Sequence, residues 1–186
     1  MYDIVFLDRD TVVAEVGRPR CPHRWQDYPQ TRPEEVLPRL AGAHIAVVNK
    51  VELRAATLAQ LPDLKLIAIS ATGSNNVDLD WCRQHGVAVC NVRGYAATTV
   101  PEHALMLMLS LRRQLLAYRS DIAAGRWQQA PGFCFFDHPI RDLAGSTLVI
   151  VGSGSLGLGV ARLAAAFGMQ VLRAERKGAP TVRPGH

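Results

Sequence analysis

TLVIVGSGSLG, at Thr147–Gly157, joins an apolar run of strand length to a glycine-rich turn. The residues that follow have helical spacing, so the turn lies between a strand and a helix. In that position Gly152 permits a tight turn, Gly154 lets the backbone approach a pyrophosphate, and Gly157 lets the helix pack on the strand. The stretch therefore predicts the first βα unit of a dinucleotide-binding fold, with a chance glycine-rich turn as the alternative.

The residues after this turn favour the same prediction. Leu156–Phe167 has helical spacing, and Met169–Ala174 is a further apolar strand that leads to Glu175. The amides of Ser155 and Leu156 open the helix, where unpaired N–H groups and the helix dipole attract phosphate. We therefore expect a βαβ unit that binds a dinucleotide through these amides.

The residues after the second strand bear on the choice of cofactor. Glu175 stands where an acid would hold the adenosine ribose hydroxyls, which favours NAD. Arg176 and Lys177 follow it directly and leave room for a 2′-phosphate. NADP therefore stays an alternative.

The chain before Gly94 alternates between strand and helix periods, as in an α/β fold. The predicted strands are Tyr2–Leu7, Ile45–Val48, Leu64–Ile69 and Val87–Val92, and the predicted helices are Pro33–Ala41, Glu52–Leu61 and Asp78–His85. Four such units predict a small doubly wound parallel sheet.

The stretch from Thr99 to about Gly125 predicts one long helix, because its apolar residues recur at helical spacing. Such a helix would lead from one domain into the next. We therefore predict a first domain over residues 1–98 and a second over residues 99–186.

Composition excludes several classes of protein. The chain has 186 residues, 48% of them apolar, and a net charge of +5, so a packed core is expected. The basic residues are scattered and lack interleaved aromatics, which disfavours nucleic-acid binding. No apolar run reaches the ~18 residues of a membrane span, and the first residues lack a basic signal-peptide region. Four scattered cysteines form no CxxC pair, which predicts reduced thiols in the cytoplasm and no metal site.

Two acids near the start suggest a competing chemistry. Val5–Val12, VFLDRDTV, partly matches the motif of haloacid-dehalogenase-type phosphatases, with Asp8 as nucleophile and Asp10 as general acid. That chemistry needs Mg²⁺ and a further acidic pair after a later strand, which the sequence does not supply. We favour the simpler interpretation, in which both acids only terminate the first strand.

A polar loop, Ala71–Asp78, follows the buried third strand. Loops at the carboxyl ends of parallel strands bind ligands in α/β folds, and amides of Gly73 and Ser74 could meet a carboxylate. A polar loop with a helix N-cap at Asn76 or Asp78 is an equal alternative.

The six histidines include no convincing catalytic base. His23, His44 and His138 have no carboxylate at a suggestive spacing.

Taken together, these residues resemble the D-isomer-specific 2-hydroxyacid dehydrogenases, closest to the glycerate dehydrogenase or hydroxypyruvate reductase branch. Leu64–Leu109 and Leu143–Gly157 carry the resemblance most specifically. It implies a flavodoxin-like parallel-sheet substrate domain followed by the first βαβ unit of a Rossmann NAD-binding domain. It also implies Thr99 beside the nicotinamide. The residues implied to line the substrate side are Asn49, Lys50, Thr72, Gly73 and Ser74.

The resemblance implies the interconversion of a D-2-hydroxy acid and a 2-oxo acid, and a homodimer. The family's catalytic Arg, Glu and His come from the second half of the Rossmann domain and are expected beyond His186. We therefore expect a truncated member that is inactive alone, with a non-catalytic nucleotide-binding remnant as the alternative.

Overall fold

The computed structural model describes residues 1–152 and 154–174. The chain divides into two compact units, the first Met1–Gly94 and the second from Tyr95 onward. The predicted domain boundary at residue 98 remains a prediction.

The first unit is built around a five-stranded, all-parallel sheet. Its strands are β1 (Tyr2–Phe6), β2 (His23–Asp27), β3 (Ile45–Val48), β4 (Leu66–Ile69) and β5 (Ala88–Asn91). Their order across the sheet is β2-β1-β3-β4-β5. This is the flavodoxin-like order, which confirms the predicted fold class.

Three helices accompany the sheet: α1 (Pro33–Leu40), α2 (Ala55–Leu58) and α3 (Leu79–Gln84). α3 begins after Asp78, whose carboxylate accepts the N–H of Trp81 at 3.0 Å, so the alternative N-cap was found at Asp78. α2 is shorter than predicted, and it begins later because Leu53 pairs with the loop after β4. Its N–H donates to Asn76 O at 2.8 Å, and its carbonyl accepts the N–H of Asp78 at 3.0 Å.

The sequence reasoning missed β2. Its residues, HRWQD, show no run of apolar side chains, because it is an edge strand whose side chains are all at least partly exposed. Backbone pairing with β1 holds it, together with an ion pair between Arg24 and Asp3.

The core lies on both faces of the sheet. Inner strands β1, β3 and β4 supply it with aliphatic side chains, as expected of parallel strands covered on both sides. The fully buried members include Ile4, Phe6, Leu7, Ala46, Val48 and Ile67. This packing fixes the carboxyl ends of the strands along one edge.

The second unit contains α4 (Ala96–Arg112), α5 (Leu115–Ala123), β6 (Thr147–Val151), α6 (Ser155–Ala166) and β7 (Gln170–Ala174). β6 and β7 are parallel and α6 connects them, which confirms the predicted βαβ unit. α6 lies very close to α4 at Gly159, where a Cβ would stand 2.5 Å from Pro101 Cγ.

The prediction of one helix from Thr99 to about Gly125 was wrong. Gln114 adopts a left-handed conformation, with φ of 55°, and separates α4 from α5. Tertiary contacts supply the reason: Arg141 N–H donates to Arg112 O at 2.9 Å, and Arg113 pairs with Asp142 at 2.6 Å. Within the described part of the chain, no helix has the length and apolar character to cross a membrane.

Candidate functional site

The glycine turn (Gly152–Gly157) connects β6 to α6 as the sequence predicted. Gly152 has φ of 106°, a conformation that favours glycine. Gly154 is the N-cap of α6, and its carbonyl accepts the first helical bond, from Leu158 N–H at 3.0 Å. The N–H groups of Ser155 and Leu156 lie in the first helical turn, where they lack intrahelical partners. Within residues 1–152 and 154–174 no group accepts their hydrogens, so they can donate to an anion.

Gly157 is a glycine because of packing within the protein. A Cβ at this position would lie 2.5 Å from Gly152 O and 3.2 Å from Ile150 Cγ2. Any side chain would therefore push the helix away from the end of the strand, as the sequence analysis proposed for the third glycine of the motif.

Gly154 has a different surrounding. Its φ of −75° and ψ of 177° suit any residue. A Cβ there would meet no heavy atom within 4 Å. Among the described residues, nothing requires a glycine at position 154. The missing side chain of Gly154 leaves open space in front of the N-terminus of α6. That space fits the close approach of a pyrophosphate.

The structure says less about the other residues that were predicted to bind the cofactor. Thr99 is exposed on α4, and its hydroxyl donates back to Tyr95 O at 3.3 Å. Glu175, predicted to hold the ribose, lies outside the described residues, as do Arg176 and Lys177.

In the first unit, the loop after β3 is fixed by a buried carboxylate. We call residues 49–51 the β3 loop. Asp8, at the end of β1, is only 3% exposed. Its carboxylate accepts the N–H groups of Asn49 at 2.9 and 3.1 Å, Lys50 at 2.6 Å and Val51 at 3.1 Å.

A second buried side chain holds the β3 loop from the other neighbouring strand. Asn76, in the loop after β4, is 9% exposed. Its Nδ2 donates to Val51 O at 3.0 Å and to Asn49 O at 3.5 Å. Neither role was predicted from the sequence. The sequence did contain a signal for these roles, because Asp8 and Asn76 are polar residues that come after the buried strands β1 and β4.

The residues predicted to line the substrate side do not share one cavity. Lys50 lines a cavity of about 520 Å³. Gly73 and Ser74 line another of about 630 Å³, and Arg54 lines both. Thr72 is exposed, and its carbonyl accepts Asn91 Nδ2 at 2.7 Å.

The geometry disfavours the phosphatase alternative. Both carboxylate oxygens of Asp8 accept backbone N–H groups, and the residue is only 3% exposed, so the carboxylate is poorly placed to attack a phosphate ester. Asp10 is exposed in the short 3₁₀ turn Arg9–Thr11. β1 ends at Phe6, two residues before Asp8, and the Asp8 carboxylate anchors a neighbouring loop.

Two histidines do have carboxylate partners, contrary to the sequence analysis. His138 Nε2 lies 2.7 Å from Asp121 Oδ2. His44 Nδ1 lies 3.5 Å from Asp3 Oδ2. His44 precedes β3, at the edge opposite the strands' carboxyl ends, so it pairs away from the candidate site. Spacing alone missed both pairs because their members lie 17 and 41 residues apart.

Tyr118 adds a further contact to the pair in the second unit. Its hydroxyl donates to His138 O at 2.8 Å, and its ring meets that of His138 edge-on. These contacts fasten the segment after α5 to that helix.

Comparisons with known proteins point to one family. Residues 6–179 match the family model described as D-isomer specific 2-hydroxyacid dehydrogenase, catalytic domain. A glycerate dehydrogenase from Methylorubrum extorquens is 49% identical over 170 residues, which are 91% of this chain and 54% of that protein. The chain spans about half the length of the curated relatives it matches.

Solved structures share the fold. An acyclic imino acid reductase in complex with NADPH and D-Arg has a TM-score of 0.75 at 19% identity, over 96% of this chain and 58% of that one. A D-lactate dehydrogenase from Aquifex aeolicus, complexed with NAD and lactic acid, has a TM-score of 0.66 at 24% identity, over 91% and 50%.

Proposed function

The chain belongs to the D-isomer-specific 2-hydroxyacid dehydrogenase family, and on this premise we propose that it serves the NAD-dependent interconversion of a D-2-hydroxy acid and a 2-oxo acid. The proposed substrates are of the glycerate and hydroxypyruvate type, which the name of the Methylorubrum extorquens relative supports.

The observation that carries the proposal is the open space at Gly154. Gly152 and Gly157 have reasons within the protein, since one has a positive φ and the other has no room for a Cβ. Gly154 has neither reason, whereas a dinucleotide pyrophosphate that meets the N–H groups of Ser155 and Leu156 would supply one. When bound, NAD(H) would supply the hydride acceptor or donor.

In this proposal the first unit contributes the substrate side. Lys50 supplies a cation, and none of the ion pairs among the described residues includes it. An ammonium group of this kind can hold the carboxylate of a 2-hydroxy acid. Gly73 and Ser74 would present backbone N–H groups at the neighbouring loop, and Thr99 would lie beside the nicotinamide.

The proposal also covers the choice of cofactor, the activity of these residues alone, the location and the oligomeric state. Glu175 would disfavour the 2′-phosphate of NADP by like-charge repulsion, so NAD is the proposed cofactor. The resemblance assigns the catalytic Arg, Glu and His to positions outside these residues, so we propose that the 186 residues alone bind cofactor without turning substrate over. A cytoplasmic location and a homodimer belong to the same proposal.

The direct test is the affinity of the protein for NADH, measured by calorimetry, in the wild type and in Gly154→Val. The backbone at Gly154 accepts a side chain and no heavy atom lies near its Cβ. The variant should therefore fold as the wild type does, while its branched side chain fills the space of the pyrophosphate. We expect NADH affinity to fall at least tenfold, which corresponds to about 1.4 kcal/mol.

The matched control is Gly132→Val, in the same unit. Gly132 also has open space around its Cβ and no positive φ. It should keep the wild-type affinity. Equal NADH affinity in Gly154→Val and the wild type would refute the assignment of the glycine turn.

A further inference from the structure

We infer that Asp8 is a positioning residue for the substrate side: its buried carboxylate acts as an internal anion that fixes the β3 loop. The inference rests on the proposed function, in which Lys50 of that loop holds the substrate carboxylate, and on the substrate-side position that the resemblance implies for Asn49. Asp8 would itself touch no substrate.

The first support is the convergence of three successive N–H groups on one side chain. Those of Asn49, Lys50 and Val51 all donate to the Asp8 carboxylate, at distances between 2.6 and 3.1 Å. Successive backbone N–H groups that point inward form a concave site for an anion. Hydrogen bonds to an ionised acceptor are stronger than neutral ones. At 3% exposure, water cannot easily replace the carboxylate.

The second support is that the side chain of Asn49 is fixed from the same strand end. Its Nδ2 donates to Thr11 Oγ1 at 2.9 Å and to Thr11 O at 3.2 Å. Thr11 Oγ1 in turn donates to Asp8 O at 2.6 Å. The residues after β1 therefore set both the backbone and the side-chain position of Asn49.

The third support is the opposing contact from β4. Asn76 Nδ2 donates to the carbonyls of Val51 and Asn49, so the peptide groups of the β3 loop are held on both sides. Lys50 contributes only its backbone to these contacts. Its side chain lines the same cavity as Asp8 and Thr11. The loop is thus rigid where the Lys50 ammonium has to be aimed.

The experiment compares wild type, Asp8→Ala and the control Asp10→Ala. Asp10 is the same residue type, is exposed, and makes its contact to Pro29 O through its backbone N–H alone. Amide hydrogen exchange at residues 49–51, followed by NMR, reads the loop directly. Loss of a charged acceptor should raise exchange roughly ten- to hundredfold in Asp8→Ala and leave Asp10→Ala at the wild-type rate.

Added formate supplies a second measurement. It carries a carboxylate small enough for the space that Asp8→Ala vacates, so it should restore slow exchange in that variant. If Asp8→Ala does not fold, Asp8→Asn retains the volume and one acceptor oxygen, and should show a smaller increase in exchange.

A positioning role also requires an effect on ligand binding. D-glycerate, titrated in the presence of NADH and followed by the shift of the Lys50 amide signal, should bind the wild type and Asp10→Ala equally. It should bind Asp8→Ala more weakly, with recovery when formate is added. A purely structural role would change stability without this reversible change in affinity.

The outcomes separate this inference from the proposed function. Unchanged exchange in Asp8→Ala overturns the inference, and so does faster exchange with unchanged D-glycerate affinity. A wild type that fails to bind D-glycerate and NADH, while exchange responds as expected, overturns the proposed function instead.

Discussion

Substitution of Gly157 by alanine tests the fit between α6 and the end of β6. The added Cβ would stand 2.5 Å from Gly152 O, whereas such contacts essentially never fall below 3.0 Å. The helix or the turn must therefore move by at least about 0.5 Å. Ile150 Cγ2, at 3.2 Å from the same Cβ, resists the movement from the strand side.

The magnitude follows from two opposing effects. Overpacking of this kind costs about 1–3 kcal/mol. Alanine gains up to about 1 kcal/mol over glycine in helix propensity. We therefore expect Gly157→Ala to lower the free energy of unfolding, by up to about 2 kcal/mol. NADH affinity should fall as well, because Gly152 is displaced.

Urea unfolding followed by circular dichroism measures the stability, with Gly132→Ala as the control in open space. A Gly157→Ala protein as stable as the control, with unchanged affinity for NADH, would refute the packing argument. It would show that the strand end and the helix tolerate a larger separation.

Two further predictions concern titratable groups. Hydrogen bonds from the Arg24 guanidinium lower the pKa of Asp3 below its usual value of 3.8. The Arg24–Asp3 pair therefore stabilises the fold above about pH 3.8. This contribution is lost as the pH falls through the lowered pKa. Arg24→Gln should therefore lose less stability than the wild type between pH 7 and pH 3 in urea unfolding, and an equal loss would contradict the pairing. Burial raises the pKa of the Cys82 thiol, whereas Cys21 and Cys90 are exposed. A thiol reagent should therefore label Cys82 last, and early labelling, identified by peptide mapping, would count against its burial.

Local patterns in the sequence were sufficient for the βαβ unit. The predicted strand at Thr147–Val151 coincides with β6, and Met169–Ala174 differs from β7 by one residue. Both segments are continuous apolar runs next to a glycine turn, so neighbouring residues alone carry the information. The same holds for β3, whose predicted bounds Ile45–Val48 match the structure.

Elements held by distant contacts could not be predicted from the sequence. β2 is a polar edge strand, and only its pairing with β1 makes it a strand. The end of α4 depends on Arg141, which lies 29 residues after Arg112 and occupies its carbonyl. Propensity and periodicity describe neighbours along the chain, so neither could reveal these partners.

The candidate site, too, has one part that the sequence predicts and another that depends on contacts between distant residues. The glycine spacing by itself predicted the strand–turn–helix unit, because tight turns and close approaches require a missing side chain at fixed positions. Only the tertiary structure decided the role of Asp8, whose three N–H donors lie 41 to 43 residues away. An aspartate after an apolar strand looks the same in the sequence whether it attacks a phosphate or anchors a loop. Its surroundings differ, because the buried carboxylate of Asp8 accepts the N–H groups of the β3 loop with both oxygens, as expected of an anchor.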